Sequence, residues 1–148
     1  MAQVRHAEVT WAGDLISGSG TIDYVSSGAF SRLPLTWASR TEAHGGRTSP
    51  EELLAAAHAS CFSMALSSDL AKAGTPPQRL RVTARVSADR VDGRWTVTSS
   101  ELTVRGRVPG LSPDSFRQAA EGAKDGCPIS RALKGNVELR VDAELESA

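Results

Sequence analysis

Two cysteines, Cys61 and Cys127, are the side chains of this sequence best suited to covalent chemistry, and they stand in opposite settings. Cys61 lies in the run Ala57-His58-Ala59-Ser60-Cys61-Phe62-Ser63-Met64-Ala65, where a free thiol ordinarily serves as a small buried hydrophobe. A thiol with an ordinary pKa near 8.5 is only a few per cent thiolate at neutral pH, so a reactive Cys61 needs a cation brought to it from elsewhere in the fold. Cys127 follows Asp125-Gly126 and precedes Pro128, the position of a residue at the mouth of a helix, where unpaired backbone N–H groups favour an anion. The two could join only if folding brings their Cα atoms to within about 4.4–6.8 Å. His58, three residues before Cys61, shares its helix face; with His44 and Cys127 it could be imagined around zinc, but no close second ligand pair exists, and a packed histidine is the simpler reading.

The charge balance excludes some partners. Seventeen Lys and Arg against seventeen Asp and Glu give no net field to draw nucleic acid. No apolar stretch reaches the roughly 20 residues needed to cross a bilayer, and the first residues lack the apolar run of a secretory signal, so the expectation is a cytoplasmic protein without membrane contact. In that reducing compartment two cysteines favour redox, metal or nucleophilic roles over a permanent cross-link.

The elements that must position these residues are written in the periodicity. Alternation over Val4–Trp11, Gly20–Val25 and Leu33–Arg40, broken by glycines, predicts a three-stranded antiparallel meander. Thr41–Ser49 reads as an exposed connection. Ser49 then serves as N-cap and Pro50 as first residue of a helix, with Glu52 completing a capping box; the helix ends near Ala73-Gly74 ahead of Pro76-Pro77. Leu53–Leu66 carries no charge on any face, which places this helix inside a core and predicts a partner subunit to cover it. Arg79–Val91 and Arg94–Val108 read as long strands joined at Asp92-Gly93, a strong hairpin signal. Ser112-Pro113-Asp114 opens a short helix, Cys127-Pro128 another, and Val137–Leu145 a last strand. The whole is expected to be one α+β domain over 1–148, antiparallel sheets packed around a long central apolar helix. Between Pro76 and Val108 seven Arg face three acids, read as a solvated sheet face or, alternatively, a docking surface for an acidic reductase.

The segment Ser49-Pro50-Glu51-Glu52-Leu53 through Cys61-Phe62-Ser63-Met64-Ala65-Leu66, with Lys124-Asp125-Gly126-Cys127-Pro128-Ile129-Ser130, resembles the osmotically inducible protein C and organic hydroperoxide resistance (OsmC/Ohr) family. Val9-Thr10-Trp11-Ala12-Gly13-Asp14, Gly18-Ser19-Gly20 and Pro109-Gly110-Leu111 extend the resemblance over nearly the full length, and His58 three residues before Cys61 is closer to the OsmC branch. The resemblance implies an intertwined homodimer and a cofactor-free, metal-free thiol peroxidase acting on organic hydroperoxides. It makes Cys61 peroxidatic and Cys127 resolving, Arg40 the activating cation and Glu51 the carboxylate that orients it, with Arg32 and Arg47 as rivals of Arg40. It also implies a dithiol reductant, a lipoylated protein in one branch of the family. Phe62 and Met64 would suit the alkyl part of the substrate. Ten residues of helix separate Glu51 from Cys61 by about 15 Å, so these two should meet between chains, in a dimer whose helices cross near Ala56. A redox sensor or binding protein of negligible turnover on the same scaffold, and a structural zinc protein, are the rival readings.

Overall fold

A computed structural model describes residues 1–147. The chain divides into two compact units, Met1–Leu53 and Leu54 onward.

The first unit is a meander of β1 (Ala7–Ala12), β2 (Ser19–Val25) and β3 (Ser31–Leu35), antiparallel in the order β1-β2-β3, followed by the short helix α1 (Trp37–Thr41). The alternation expected to continue as a strand to Arg40 stops at Leu35. Thr36 ends it by capping a helix instead: its hydroxyl accepts the Ser39 N–H at 3.0 Å, and the Ser39 hydroxyl accepts the Thr36 N–H at 3.0 Å. Such a reciprocal box satisfies two amides that a strand end would leave open. Arg40 is therefore a helical residue, not a strand-end charge. Ser39, 4% exposed, also donates to the Thr48 carbonyl at 3.1 Å, which ties the chain entering the next helix to α1. Gly20 faces Trp11 across the β1–β2 pair, and a Cβ there would lie 2.6 Å from the indole, so only glycine lets that ring lie across the sheet.

Helix α2 (Pro50–Lys72) starts as expected, the Ser49 hydroxyl accepting the Glu52 N–H at 3.2 Å. The Glu52 carboxylate, however, accepts the Thr48 hydroxyl at 3.1 Å instead of closing a box with Ser49. At the far end Thr75 N–H bonds to the Leu70 carbonyl and Gly74 N–H to that of Ala71, the two bonds of a Schellman stop.

In the second unit His58, Phe62, Leu66 and Leu70 form a buried stripe of α2 at four-residue spacing. The stripe joins a core with Leu102 and Val104 of the sheet and Phe116, Ala120 and Ala123 of a later helix. The uncharged helix thus buries one face in the single chain: Ala56, Ala57, Ser60 and Met64 are exposed, Met64 by 67%. Strands β4 (Arg79–Val91) and β5 (Arg94–Arg107) form an antiparallel hairpin, Val91 opposite Arg94, whose turn residues Asp92 and Gly93 both take positive φ, 51° and 77°. That pair of angles is what a two-residue turn matched to strand twist demands.

Helix α3 (Pro113–Gly126), capped by Ser112, and α4 (Pro128–Leu133), capped by Cys127, carry the chain back to β6 (Glu138–Leu145). Strand β6 pairs with β5 in parallel, correcting the all-antiparallel expectation. The cause is the connection: two helices between β5 and β6 make a crossover that returns the chain to the same end of the sheet, which a tight turn cannot do. The acids of β6 and of Glu146 beyond it meet the basic excess of the hairpin, Arg105 pairing with Asp142 and Glu144, and Arg79 and Arg107 with Glu146. These pairs favour the solvated-face reading of that arginine run.

Candidate active site

Cys61 and Cys127, 66 positions apart in sequence, are brought together in the second unit as free thiols, close enough for the Cys127 sulfur to perturb the ionisation of Cys61. Three elements achieve this. Helix α2 holds Cys61, half-buried, one position from the buried face marked by Phe62. The α3–α4 junction holds Cys127, which is 0% exposed and belongs to the core. Consecutive amides of α4 then face the two sulfurs: the Ile129 N–H lies near enough to Cys61 to favour its thiolate, and Ser130 N–H reaches Cys127 Sγ at 3.3 Å. Burial pushes the Cys61 thiol above its ordinary pKa, the Ile129 N–H works against that rise, and the neighbouring Cys127 adds to it. An ionised Cys61 at neutral pH therefore requires a positive charge beyond these contacts.

His58 is 0% exposed, and both of its ring nitrogens are engaged, Nδ1 with Ser100 Oγ at 2.6 Å and Nε2 with Ser130 Oγ at 2.7 Å. Burial holds its pKa below the ordinary imidazole value. This is the packed, hydrogen-bonded histidine expected over a zinc ligand. Among the described residues no group of three or more His, Cys, Asp or Glu is arranged to hold a metal ion.

Arg40 and Glu51 are brought together in the first unit. Arg40 Nε and Nη2 both donate to Glu51 Oε1 at 2.8 Å, with side-chain exposures of 31% and 11%. The guanidinium carbon also lies 5.7 Å from the centre of the Trp37 ring, within cation–π range. A carboxylate on one side and an indole face on the other fix the plane of the cation. The rivals Arg32 and Arg47 are exposed.

This cation lines a cavity of about 300 Å³ whose other walls are Trp11, Leu15, Leu35, Thr36, Trp37 and Pro50. The loop after β1 supports the lining: Trp11 Nε1–H donates to the Gly13 carbonyl at 3.0 Å, and Asp14 accepts the amides of Ile16 and Ser17 and the Ser17 hydroxyl. Those bonds hold the Asp14 carboxyl below the usual carboxylate range. A mainly apolar pocket with one oriented arginine suits an alkyl group carrying a small polar head. The expectation for Phe62 needs correcting, because that ring is 0% exposed in the core; a residue on the stripe of His58 and Leu66 must point inward. Met64 is exposed and lines a different groove, with Ser67 and Pro77.

Sequence reasoning missed the apolar lining and the two serines around His58. A signal for Ser100 existed: it shares the inward face of β5 with Leu102 and Val104, and a hydroxyl at such a position needs a buried partner.

A family model described as OsmC-like protein matches residues 43–142. Over 143 residues the chain is 40% identical to peroxiredoxin OsmC of Escherichia coli K12, covering 97% of each chain. This chain belongs to the OsmC-like protein family. The family likeness continues, at 30% identity over 100 residues, in an organic hydroperoxide resistance protein of Xanthomonas axonopodis pv. citri, covering 66% of this chain and 67% of that one. Two solved structures share the OsmC-like fold. OhrB of Bacillus subtilis has a TM-score of 0.71 at 24% identity, covering 94% of this chain and 98% of that one. An organic hydroperoxide resistance protein from Elizabethkingia anophelis has 0.74 at 22%, covering 99% and 100%.

Proposed function

We propose that this OsmC-like protein is a cysteine-based thiol peroxidase that reduces organic hydroperoxides to alcohols, with hydrogen peroxide a poorer substrate, and that residues 1–148 act as one peroxidase domain. The contact between Cys61 and Cys127 carries the reading, and the names of the peroxiredoxin and hydroperoxide-resistance relatives support it. The Cys61 thiolate attacks the outer peroxide oxygen and the O–O bond breaks. The alkoxide leaves as alcohol after taking a proton, and Cys61 becomes a sulfenic acid. Cys127 then displaces the sulfenic oxygen as water and a disulfide forms, which an external dithiol, such as a lipoylated protein, reduces back to two thiols.

Arg40 is the cation that ionises Cys61 and receives the peroxide oxygens, and Glu51 holds its guanidinium in place. In a homodimer these roles unite. Residues 51 and 61 stand about 15 Å apart on α2, so antiparallel crossing of two such helices sets Glu51 beside Cys61 of the partner subunit. The exposed Ala56, Ala57, Ser60 and Met64 support such a crossing. So does the first unit, whose buried residues are only Gly20, Ile22 and Ser39, too few to hold 53 residues folded alone. Among the described residues no helix is long and apolar enough to cross a membrane, in keeping with action in the cytoplasm.

The test is consumption of cumene hydroperoxide under excess dithiol. The wild type turns over repeatedly, Cys61→Ser is inert, and Cys127→Ser performs one rapid turnover and then over-oxidises. Activity of Cys61→Ser equal to wild type rejects the reading, as does a strictly monomeric preparation, checked by sedimentation, that keeps full activity. A wild type that forms the disulfide once but is not recycled is a redox switch.

A further inference from the structure

A continuous buried chain of polar groups leads away from Cys127, and cleavage of the peroxide makes no use of it. Ser100 on β5, His58 on α2, Ser130 on α4 and Cys127 itself are each 1% exposed or less. His58 Nδ1 meets Ser100 Oγ at 2.6 Å, His58 Nε2 meets Ser130 Oγ at 2.7 Å, and Ser130 Oγ lies 3.3 Å from Cys127 Sγ. A histidine that only fills space is well served by a carbonyl, which always accepts and so locks one tautomer. Here both ring partners are hydroxyls, which donate or accept by rotating. The neutral ring can accept from Ser130 while donating to Ser100, and the protonated ring can donate to both. Either charge state of His58 is thus fully hydrogen-bonded inside the core.

Resting on the peroxidase reading above, we propose that Ser130 and His58 form a proton relay that takes the thiol proton of Cys127 as it attacks the sulfenic acid of Cys61. The Cys127 S–H proton moves to Ser130 Oγ, and the Ser130 hydroxyl proton moves to His58 Nε2. This leaves a thiolate that now accepts from both the hydroxyl and the N–H of Ser130. The new S–S bond forms as the Cys61 S–O bond breaks. The departing hydroxide takes up a proton and the imidazolium gives one back, so the sum is sulfenic acid plus thiol to disulfide plus water, with no other reactant. Ser130 also lines a partly open cavity of about 180 Å³ with Lys124, Asp125 and Lys134, which gives these protons a way to solvent. Burial holds the His58 pKa below the ordinary imidazole value, so the ring rests neutral with one nitrogen free to accept. Ser130 touches the reacting sulfur and is catalytic. His58, acting through it, and Ser100, orienting the ring, are positioning residues.

The experiment follows one turnover with cumene hydroperoxide by rapid quench. Mass spectrometry counts Cys61 as trapped sulfenic acid, sulfinic acid or disulfide, and the ratio of over-oxidation to disulfide is compared among variants. Removing a proton acceptor from such a step typically costs at least tenfold to a hundredfold. Ser130→Ala and His58→Gln are expected to raise the ratio about tenfold or more, while Ser130→Thr, which keeps the hydroxyl, stays within about threefold of wild type. Gln can bond to both serines but has no basic nitrogen to take up the proton, so a wild-type ratio in His58→Gln overturns the relay, as does one in Ser130→Ala. Should His58→Gln not fold, the Ala and Thr variants at Ser130 decide alone. A wild type that consumes no peroxide refutes the peroxidase reading instead, which keeps the two failures apart.

Discussion

Replacing Glu51 by alanine tests how the oriented arginine works. Both contacts from Arg40 converge on one carboxylate oxygen at 2.8 Å, and the carboxylate is the more buried partner, 11% exposed against 31%. A hydrogen bond to a charged group contributes about 1.5–3 kcal/mol, but the guanidinium retains access to water and recovers part of this. We therefore expect Glu51→Ala to cost about 1–2 kcal/mol of stability, a fall of roughly 2–8 °C in Tm for a chain of this length. The loss in rate should be larger. Freed from the carboxylate, the cation swings about the Trp37 face; a displacement near 1 Å costs up to about a hundredfold, and each unit by which the thiol pKa rises costs a further tenfold at neutral pH. Stopped-flow measurement of kcat/KM for cumene hydroperoxide at pH 7 is expected to fall roughly tenfold to a hundredfold, or about 1.4–2.7 kcal/mol of barrier. Glu51→Gln, which keeps an acceptor oxygen, should fall between. On the proposed role, in which Glu51 acts through Arg40, the double variant with Arg40→Ala should be no slower than Arg40→Ala alone. Multiplying losses in that double variant, or wild-type kcat/KM in a folded Glu51→Ala protein, refute the reasoning.

Leu35→Asn, in the wall of the arginine cavity, should raise KM for cumene hydroperoxide about tenfold while changing hydrogen peroxide reduction less than twofold, since one lost apolar contact is worth about 1–3 kcal/mol only to a substrate that makes it; steady-state kinetics with both peroxides decides. Acid should destabilise the fold through His58. Its folded pKa lies below the unfolded value of 6.5, so its contribution is intact above pH 6.5 and is lost as pH falls from there toward the folded pKa, by at most about 1.4 kcal/mol per pH unit. Urea unfolding of wild type and His58→Gln at pH 7.5 and 5.5 should show the steeper loss in wild type. Phe62→Ala, emptying a fully buried site, should cost about 3–5 kcal/mol, read as a shifted urea midpoint at unchanged m-value.

Local signals in the chain foretold most elements because each is decided by a few neighbouring residues. Asp92-Gly93 fixes the hairpin, Ser49-Pro50 starts α2, and Cys127-Pro128 starts α4. Two features were not legible in the same way. Strand β3 ended early because the Thr36–Ser39 box outweighed an alternation that ran on through it. The parallel pairing of β6 depends on where a crossover of two helices lands, which no local residue states. At the site, the sulfur contact was legible only through resemblance, because it joins residues 61 and 127 through packing of the whole second unit. The serines around His58 were hidden for a related reason, as a hydroxyl in an alternating strand shows that it needs a partner but not which one.

That crossover bears on how the protein is made. A hairpin of neighbouring strands can close while the chain is still leaving the ribosome, whereas a parallel neighbour must wait for everything between to be synthesised. Cys127 lies between β5 and that last strand, so Cys61 leaves the ribosome well before the residue its side chain comes to rest beside. The meeting of the two sulfurs therefore belongs to the closing stage of synthesis, when the eight-residue strand that ends the sheet takes its place.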